Sequence, residues 1–337
     1  MSMINRRSIF AVLAGTILAG GILATAASAA DEEVIRAVTF TPAQVIYAQQ
    51  FQKFVDKVNE KGKGVVRIDV IGGPEVIPPM RLGESQKNGV ADMFDLPAGL
   101  YLNMVPEGEV FAGSNHKPWE NRENGGLAMV NDIFHEKGNA HILAHVDAGT
   151  GFHLFLTRKP EMTDDGNVDL QGFRIRTSPL YRAFVESLGA TNVVQSPTEV
   201  YTSLERGVVD GTGYTIVGLR DFNWNKFVQY RIDPGFFQTD VLISMNYDKW
   251  QGLSDKAKAI LDEVAVEWER ESYDIMLAAT EAEDKALREA GMEVIELTGT
   301  ARENYLKSAY DVSWSRLKER DPTHYDALRE KFFTPIE

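Results

Sequence analysis

The chain has no cysteine among its 337 residues. That excludes a disulfide framework, a thiolate zinc site, a cysteine nucleophile and anchoring through a lipid-modified cysteine. HExxH is missing too, and Gly149-Thr150-Gly151-Phe152 lacks the glycine spacing and following helix of a dinucleotide-binding turn. Positive charge is scarce, with 35 Lys and Arg against 49 Asp and Glu and a formal charge of −14. Such a surface suits neither nucleic acid nor an anionic membrane. An anionic ligand stays compatible with it, because one buried arginine dominates its own pocket at short range. No low-complexity linker follows Asp31, so any lobes must be joined by ordered crossings.

One long apolar run is present, at the start. Arg6 and Arg7 precede an uncharged stretch from Ile9, which closes on Ala27-Ser28-Ala29. Basic, apolar, then small-x-small is the order of a secretory signal peptide, with residues 1–29 expected to be removed after Ala29. The competing reading, a membrane anchor, fits poorly with Gly15, Gly20 and Gly21. "NRRSIF" is half of a twin-arginine signal, which leaves the export route open. Losing the two arginines moves the charge from −14 to −16. The expected location is the periplasm, and the remaining roughly 308 residues can bury a core without covalent help.

The pattern from residue 34 alternates strands with helices and predicts parallel α/β packing. Residues 34–40 read as a strand, 42–62 as a helix ending at Gly62, and 90–96 as a further strand. The second half repeats the layout. "FRIRT" is a strand, and Ser178-Pro179 suits a helix start. Ser196-Pro197-Thr198-Glu199 has capping-box spacing. "KNGVADM" (87–93) and "ERGVVDG" (205–211) share one phrase: helix end, glycine, buried strand, acid. Residues 255–290 contain neither Gly nor Pro and predict a helix of about 54 Å, or two helices kinked near 276.

Few residues advertise chemistry. His141 and His145 would share a metal on a helix, but their surroundings read as strand, where they stand about 13 Å apart. Asp164-Asp165 and Glu281, Glu283 and Asp284 read as solvated turns and helix faces. Trp224, Phe236 and Phe237 are packing residues or a pocket wall. Arg174 and Arg176 are the exception. Arg176 ends its strand at the rim where open α/β sheets bind ligands, and a guanidinium meets both oxygens of a carboxylate. Local sequence leaves a structural salt bridge open for either arginine.

Residues 169–211, "DLQGFRIRTSPLYRAFVESLGATNVVQSPTEVYTSLERGVVDG", resemble the central region of TRAP-type solute-binding proteins, the DctP family. "GGPEVIPP", "NGVADM" and "LISMNYDKWQGLSDKAKAIL" extend the resemblance over the mature chain. It implies two α/β lobes joined by hinge strands, a long helix spanning both, and a ligand enclosed between them. The boundaries implied are 30–150 plus 240–285 for lobe I and 151–239 plus 286–337 for lobe II. It also implies a binding protein rather than an enzyme, with no cofactor or metal, that passes an organic acid to small and large TRAP membrane subunits. The acid would be a monocarboxylate of hydroxy, keto or aromatic character. A sensor for a receptor and a secreted α/β hydrolase are the alternatives. By position Arg176 matches the arginine that holds the substrate carboxylate, while Arg174 is structural. Phe152 and His153 stand where relatives often carry a second arginine. Tyr214 stands where many have a polar or Glu-Trp pair. Glu75, Asp95 and Tyr101 lie near cleft loops, and Phe237 and Asp240 flank the strand crossing back between lobes.

Overall fold

Runs of β-branched residues in the first 60 residues of the mature chain give the opening strands of the first of two separate sheets. The computed structural model describes residues 32–335, so the expected signal peptide and its cleavage after Ala29 lie outside the described residues. The strands are β1 (Glu33–Thr39), β2 (Val66–Gly72), β3 (Met93–Pro97), β4 (Ala140–Val146), β5 (Phe152–Leu156), β6 (Glu161–Met162) and β7 (Val168–Asp169). They continue with β8 (Arg174–Thr177), β9 (Thr191–Val194), β10 (Gly211–Thr215), β11 (Tyr230–Phe236), β12 (Val241–Asn246) and β13 (Glu293–Glu296). One sheet runs β2-β1-β3-β12-β4 and the other β13-β11-β5-β10-β8-β9, while β6 and β7 form a separate short ladder. In each sheet a strand arriving from the other half of the molecule, β12 or β5, lies antiparallel to a parallel core.

The phrase shared by 87–93 and 205–211 has a structural meaning. Asp92 accepts the backbone N–H of Arg36 on β1 at 2.8 Å, and its carboxylate also holds that guanidinium. Asp210 does the same for Arg174 on β8, at 2.9 Å from the backbone nitrogen and 3.0 Å from Nε. Each acid thus fastens the entry of one parallel strand to its neighbour, once per lobe. Arg174 is the structural member of the arginine pair.

Local signals set most helix ends. Ser196 and Glu199 form the reciprocal capping box expected at Pro197–Glu205. Ser178 behaves differently. Its hydroxyl accepts from the Leu180 backbone at 3.3 Å within a turn, and the helix begins one turn later, Arg182–Ser187. The helix expected over 42–62 likewise starts at Ile46, after a turn at Pro42.

Two crossings join the sheets, residues 147–151 from β4 to β5 and 237–240 from β11 to β12. They are hydrogen-bonded through Thr239 N–H to Thr150 O at 3.1 Å. Each contains a non-glycine residue at positive φ, Asp147 at 58° and Phe237 at 56°, a conformation L-residues seldom adopt. The helix Asp255–Glu289 runs unbroken for 35 residues, with no kink near 276. At 1.5 Å per residue it is about 52 Å long. Its first half is tied to one lobe by Arg122 to Glu269 at 2.7 Å. Its second half is tied to the other by Arg231 to Asp284 at 2.6 Å. Gly149 in the first crossing lies against its middle, where a Cβ would fall 2.2 Å from Tyr273 O. The last helix, Tyr325–Phe332, packs on the first-lobe helices Glu109–Gly113 and Gly126–Gly138, so the segment after 286 serves both lobes.

Candidate functional site

Arg176 is the penultimate residue of β8, between β9 and β10, and is 2 % exposed. Its Nε and Nη2 donate to Gln195 O at 2.9 and 2.7 Å, and its Nη1 donates to Tyr181 Oη and Gly213 O, both at 3.2 Å. All three acceptors are neutral. Among the described residues no carboxylate pairs with this guanidinium, unlike that of Arg174. Tyr181 Oη donates in turn to Gly213 O at 2.6 Å, which locks the ring. Residue 213 must be glycine for this, since a Cβ there would meet Tyr181 Cε2 at 2.5 Å.

The guanidinium faces a cavity between the lobes with about 660 Å³ of empty space, its mouth included. Phe40, Tyr47, Pro79 and Leu100 supply the first-lobe wall, and Phe152, Tyr181, Tyr214 and Pro197 the second. The second crossing contributes Thr239 and Asp240. The lobes touch across this cleft: Tyr47 and Thr215 share a hydrogen bond of 2.7 Å, and Ile46 N–H donates to Asp221 at 3.0 Å. The second contact places a carboxylate from one lobe on the helix N-terminus of the other, where the helix dipole favours it.

Among the described residues the buried Tyr214 hydroxyl has no protein partner, and burial pushes its pKa well above the usual tyrosine value, which leaves it a neutral donor. Asp240 accepts the Gly99 N–H at 2.6 Å, and burial pushes its carboxyl up to about 6.

Of the residues expected at a ligand site, the structure brings Arg176, Tyr214, Phe152 and Asp240 together around the cavity. The other five lie elsewhere. Glu75 is exposed and folds back to accept the Gly73 N–H at 2.7 Å. Asp95 is buried under the first sheet, accepts the Thr39 hydroxyl at 2.7 Å, and is raised by burial to about 8. Tyr101 points into the first core, against Gln86 and, at 3.2 Å, Ser244. His153 turns to the opposite face of β5 from Phe152 and meets Asp233 at 2.9 Å. Phe237 packs on Phe236 and Tyr310. Tyr181, Tyr47 and Gln195 were not expected. Tyr181 carried a usable signal, lying one turn past Arg176, whereas Gln195 acts through its carbonyl oxygen and gives none.

Metal-type clusters sit apart from this cavity. Glu107, Asp321 and His324 gather around the Lys137 ammonium, which stands 2.5 Å from Glu107 and occupies the place of a cation. His145, once paired with His141 in the sequence, donates from Nε2 to Thr239 O at 2.7 Å while His141 stacks on Trp250. Among the described residues no helix is long and apolar enough to cross a membrane.

Residues 37–320 match the family described as bacterial extracellular solute-binding protein, family 7, DctP. A solute-binding protein of Roseobacter denitrificans is 28 % identical over 156 residues, 46 % of this chain and 47 % of the relative, so that alignment spans about half its length. The ectoine/5-hydroxyectoine-binding periplasmic protein of Ruegeria pomeroyi is 22 % identical over 310 residues, 88 % of this chain and 89 % of that one. Among solved structures, a Bordetella pertussis extracytoplasmic solute receptor binding pyroglutamic acid superposes with a TM-score of 0.77 at 15 % identity, covering 89 % of this chain and 99 % of that one. A Sulfitobacter TRAP periplasmic solute-binding protein with bound β-D-galacturonate gives 0.76 at 19 %, with the same coverage. The two-lobed α/β fold is theirs, and this chain belongs to the DctP family of TRAP solute-binding proteins, a family of binding proteins and not of enzymes.

Proposed function

We propose that the protein captures a small organic acid, a monocarboxylate with a compact polar or aromatic remainder, in the interlobe cavity and delivers it to TRAP membrane subunits from the periplasm. One observation carries the reading: Arg176 is a fully buried cation facing that cavity with only neutral acceptors. A buried charge without a counter-charge is costly, and an incoming carboxylate supplies the missing partner. One cation among the lining residues favours one carboxylate. Relatives named for pyroglutamate, galacturonate and monocarboxylate 2-oxoacids are consistent with an acid of this size.

Arg176 already makes four hydrogen bonds to three protein oxygens, so a carboxylate meets the guanidinium edge they leave and the Tyr214 hydroxyl, which has no partner among the described residues. The acid enters while the lobes are apart. Closure then brings Tyr47 to Thr215 and Ile46 to Asp221, expels water, and strengthens the ion pair.

A thermal-shift screen of purified protein against carboxylates tests this. A true ligand at ~100 times its Kd adds about 2.7 kcal/mol of stability. Arg176→Met should erase that shift and leave the ligand-free melting temperature unchanged or higher. A ligand whose shift survives Arg176→Met would show that the carboxylate is held elsewhere.

A further inference from the structure

Asp240 gives the cavity a second pole. It is the one acid among the described lining residues, as Arg176 is the one base. Asp240 is 2 % exposed, and its only protein donors are backbone N–H groups, with Gly99 at 2.6 Å. No side-chain donor reaches it among the described residues. Gly99 lets the loop come this close, since a Cβ there would lie 3.2 Å from Asp240 Oδ2.

Apart from Tyr214 Oη and Gln195 Oε1, which have no partner among the described residues, several polar groups of the wall are already engaged. Tyr47 and Thr215 bond each other, Thr239 donates to Asp147 O, and Tyr181 donates to Gly213 O. Behind Asp240 no free cation faces it: Asp147 and Asp95, both 1 % exposed, are pushed by burial toward the protonated form, and Glu109 is paired with Arg316. The cleft is therefore lined by one charged group of each sign, Arg176 and Asp240. An acid lacking a cation would satisfy Arg176 while burying its remainder against an unanswered carboxylate, a costly arrangement.

We propose that the ligand is a dipolar acid whose carboxylate meets Arg176 and whose protonated nitrogen meets Asp240, with the aromatic side chains enclosing the carbon skeleton between them. This rests on the Arg176 reading above and narrows it to amino acids and related zwitterions.

The charged and titratable groups near Asp240 are Glu109 with Arg316, Tyr181 from the second lobe and Tyr47 from the helix Ile46–Lys61. Against that background burial raises Asp240 to about 6. A dipolar ligand requires the ionised carboxylate, so its affinity rises between pH 5 and 7.5. A simple acid is best received by the protonated form, so its affinity falls over the same interval.

The test uses calorimetric titration of the mature protein with α- to δ-amino acids, linear and cyclic, from glycine to 5-aminovalerate and including proline and pipecolate. Each is paired with the same skeleton lacking nitrogen, such as cyclopentanecarboxylate for proline. At least one nitrogen compound should bind about 10- to 100-fold more tightly than its partner, the range of a charge-assisted hydrogen bond. Asp240→Asn should bring the two to near parity. If that variant does not fold, the pH series on the unaltered protein decides by its sign. Nitrogen-free acids binding equally well, or no amino acid binding at all, overturns the proposal. Tight binding of a nitrogen-free acid that is lost in Arg176→Met overturns this inference alone and leaves the carboxylate site standing. Binding that survives Arg176→Met overturns the functional reading instead.

Discussion

Asp95→Asn should stabilise the protein at neutral pH, and the gain should vanish in acid. Asp95 sits on β3 at 1 % exposure, with one oxygen on the Thr39 hydroxyl and the other, Oδ1, without a partner. Burial lifts its carboxyl from 3.8 to about 8, and the like-charged Asp147 nearby is lifted as well. The folded protein therefore binds a proton there that the unfolded chain releases. With the folded value raised, stability is fully present below pH 3.8 and declines as pH climbs toward 8. The slope is about 1.4 kcal/mol per pH unit, so the burden at pH 7 is roughly 4 kcal/mol. The amide carries no such burden. Urea unfolding of the ligand-free protein at pH 4.5, 5.5 and 7 checks it. The variant's advantage should grow by roughly 3 kcal/mol between pH 4.5 and 7. Comparing across pH removes any fixed cost of accommodating the amide. Parallel pH profiles for the two proteins would refute the reasoning, and a loss of ligand binding in Asp95→Asn would return Asp95 to the site.

Three further outcomes are expected. Gly149→Ala forces a Cβ against Tyr273 O and Leu277 N, and should cost about 3 kcal/mol of stability in chemical denaturation. Tyr214→Phe deletes a buried hydroxyl with no protein partner, so the ligand-free protein should gain about 1 kcal/mol while ligand affinity drops about tenfold in titration. Arg174→Ala breaks the half-exposed pair with Asp210 and should leave Kd within about twofold of the parent, in contrast to its neighbour two residues on.

Much of the architecture was legible in single residues. Ser196 and Glu199 announced their helix, the Gly-Val-acid phrase marked equivalent corners of both lobes, and the Gly- and Pro-free stretch gave the long helix in one piece. At the site, Arg176 was readable because it lies near the end of a strand, one residue before Thr177, at the rim of an open sheet. The misplacements have physical causes. Phe152 and His153 were both expected at the ligand, yet neighbours on a strand face opposite ways, and only Phe152 lines the cavity. Residues Met93–Leu96 of β3 are buried on both faces, so alternation could not say that Asp95 points away from the cleft. Ser178 looked like a helix cap because Pro179 follows it, but its hydroxyl closes a turn that instead brings Tyr181 onto Gly213. Two of the three acceptors of Arg176 are main-chain oxygens, and at 195 any residue would offer one.

The contact between Gly149 and the middle of the helix Asp255–Glu289 has a mechanical consequence. A stiff rod lies across its own fulcrum and is fastened to a different lobe on either side, at Glu269 and at Asp284. The halves cannot swing about the crossings without rolling or flexing that rod. Residues far from any atom that touches a bound acid thereby bear on how readily the cleft can open.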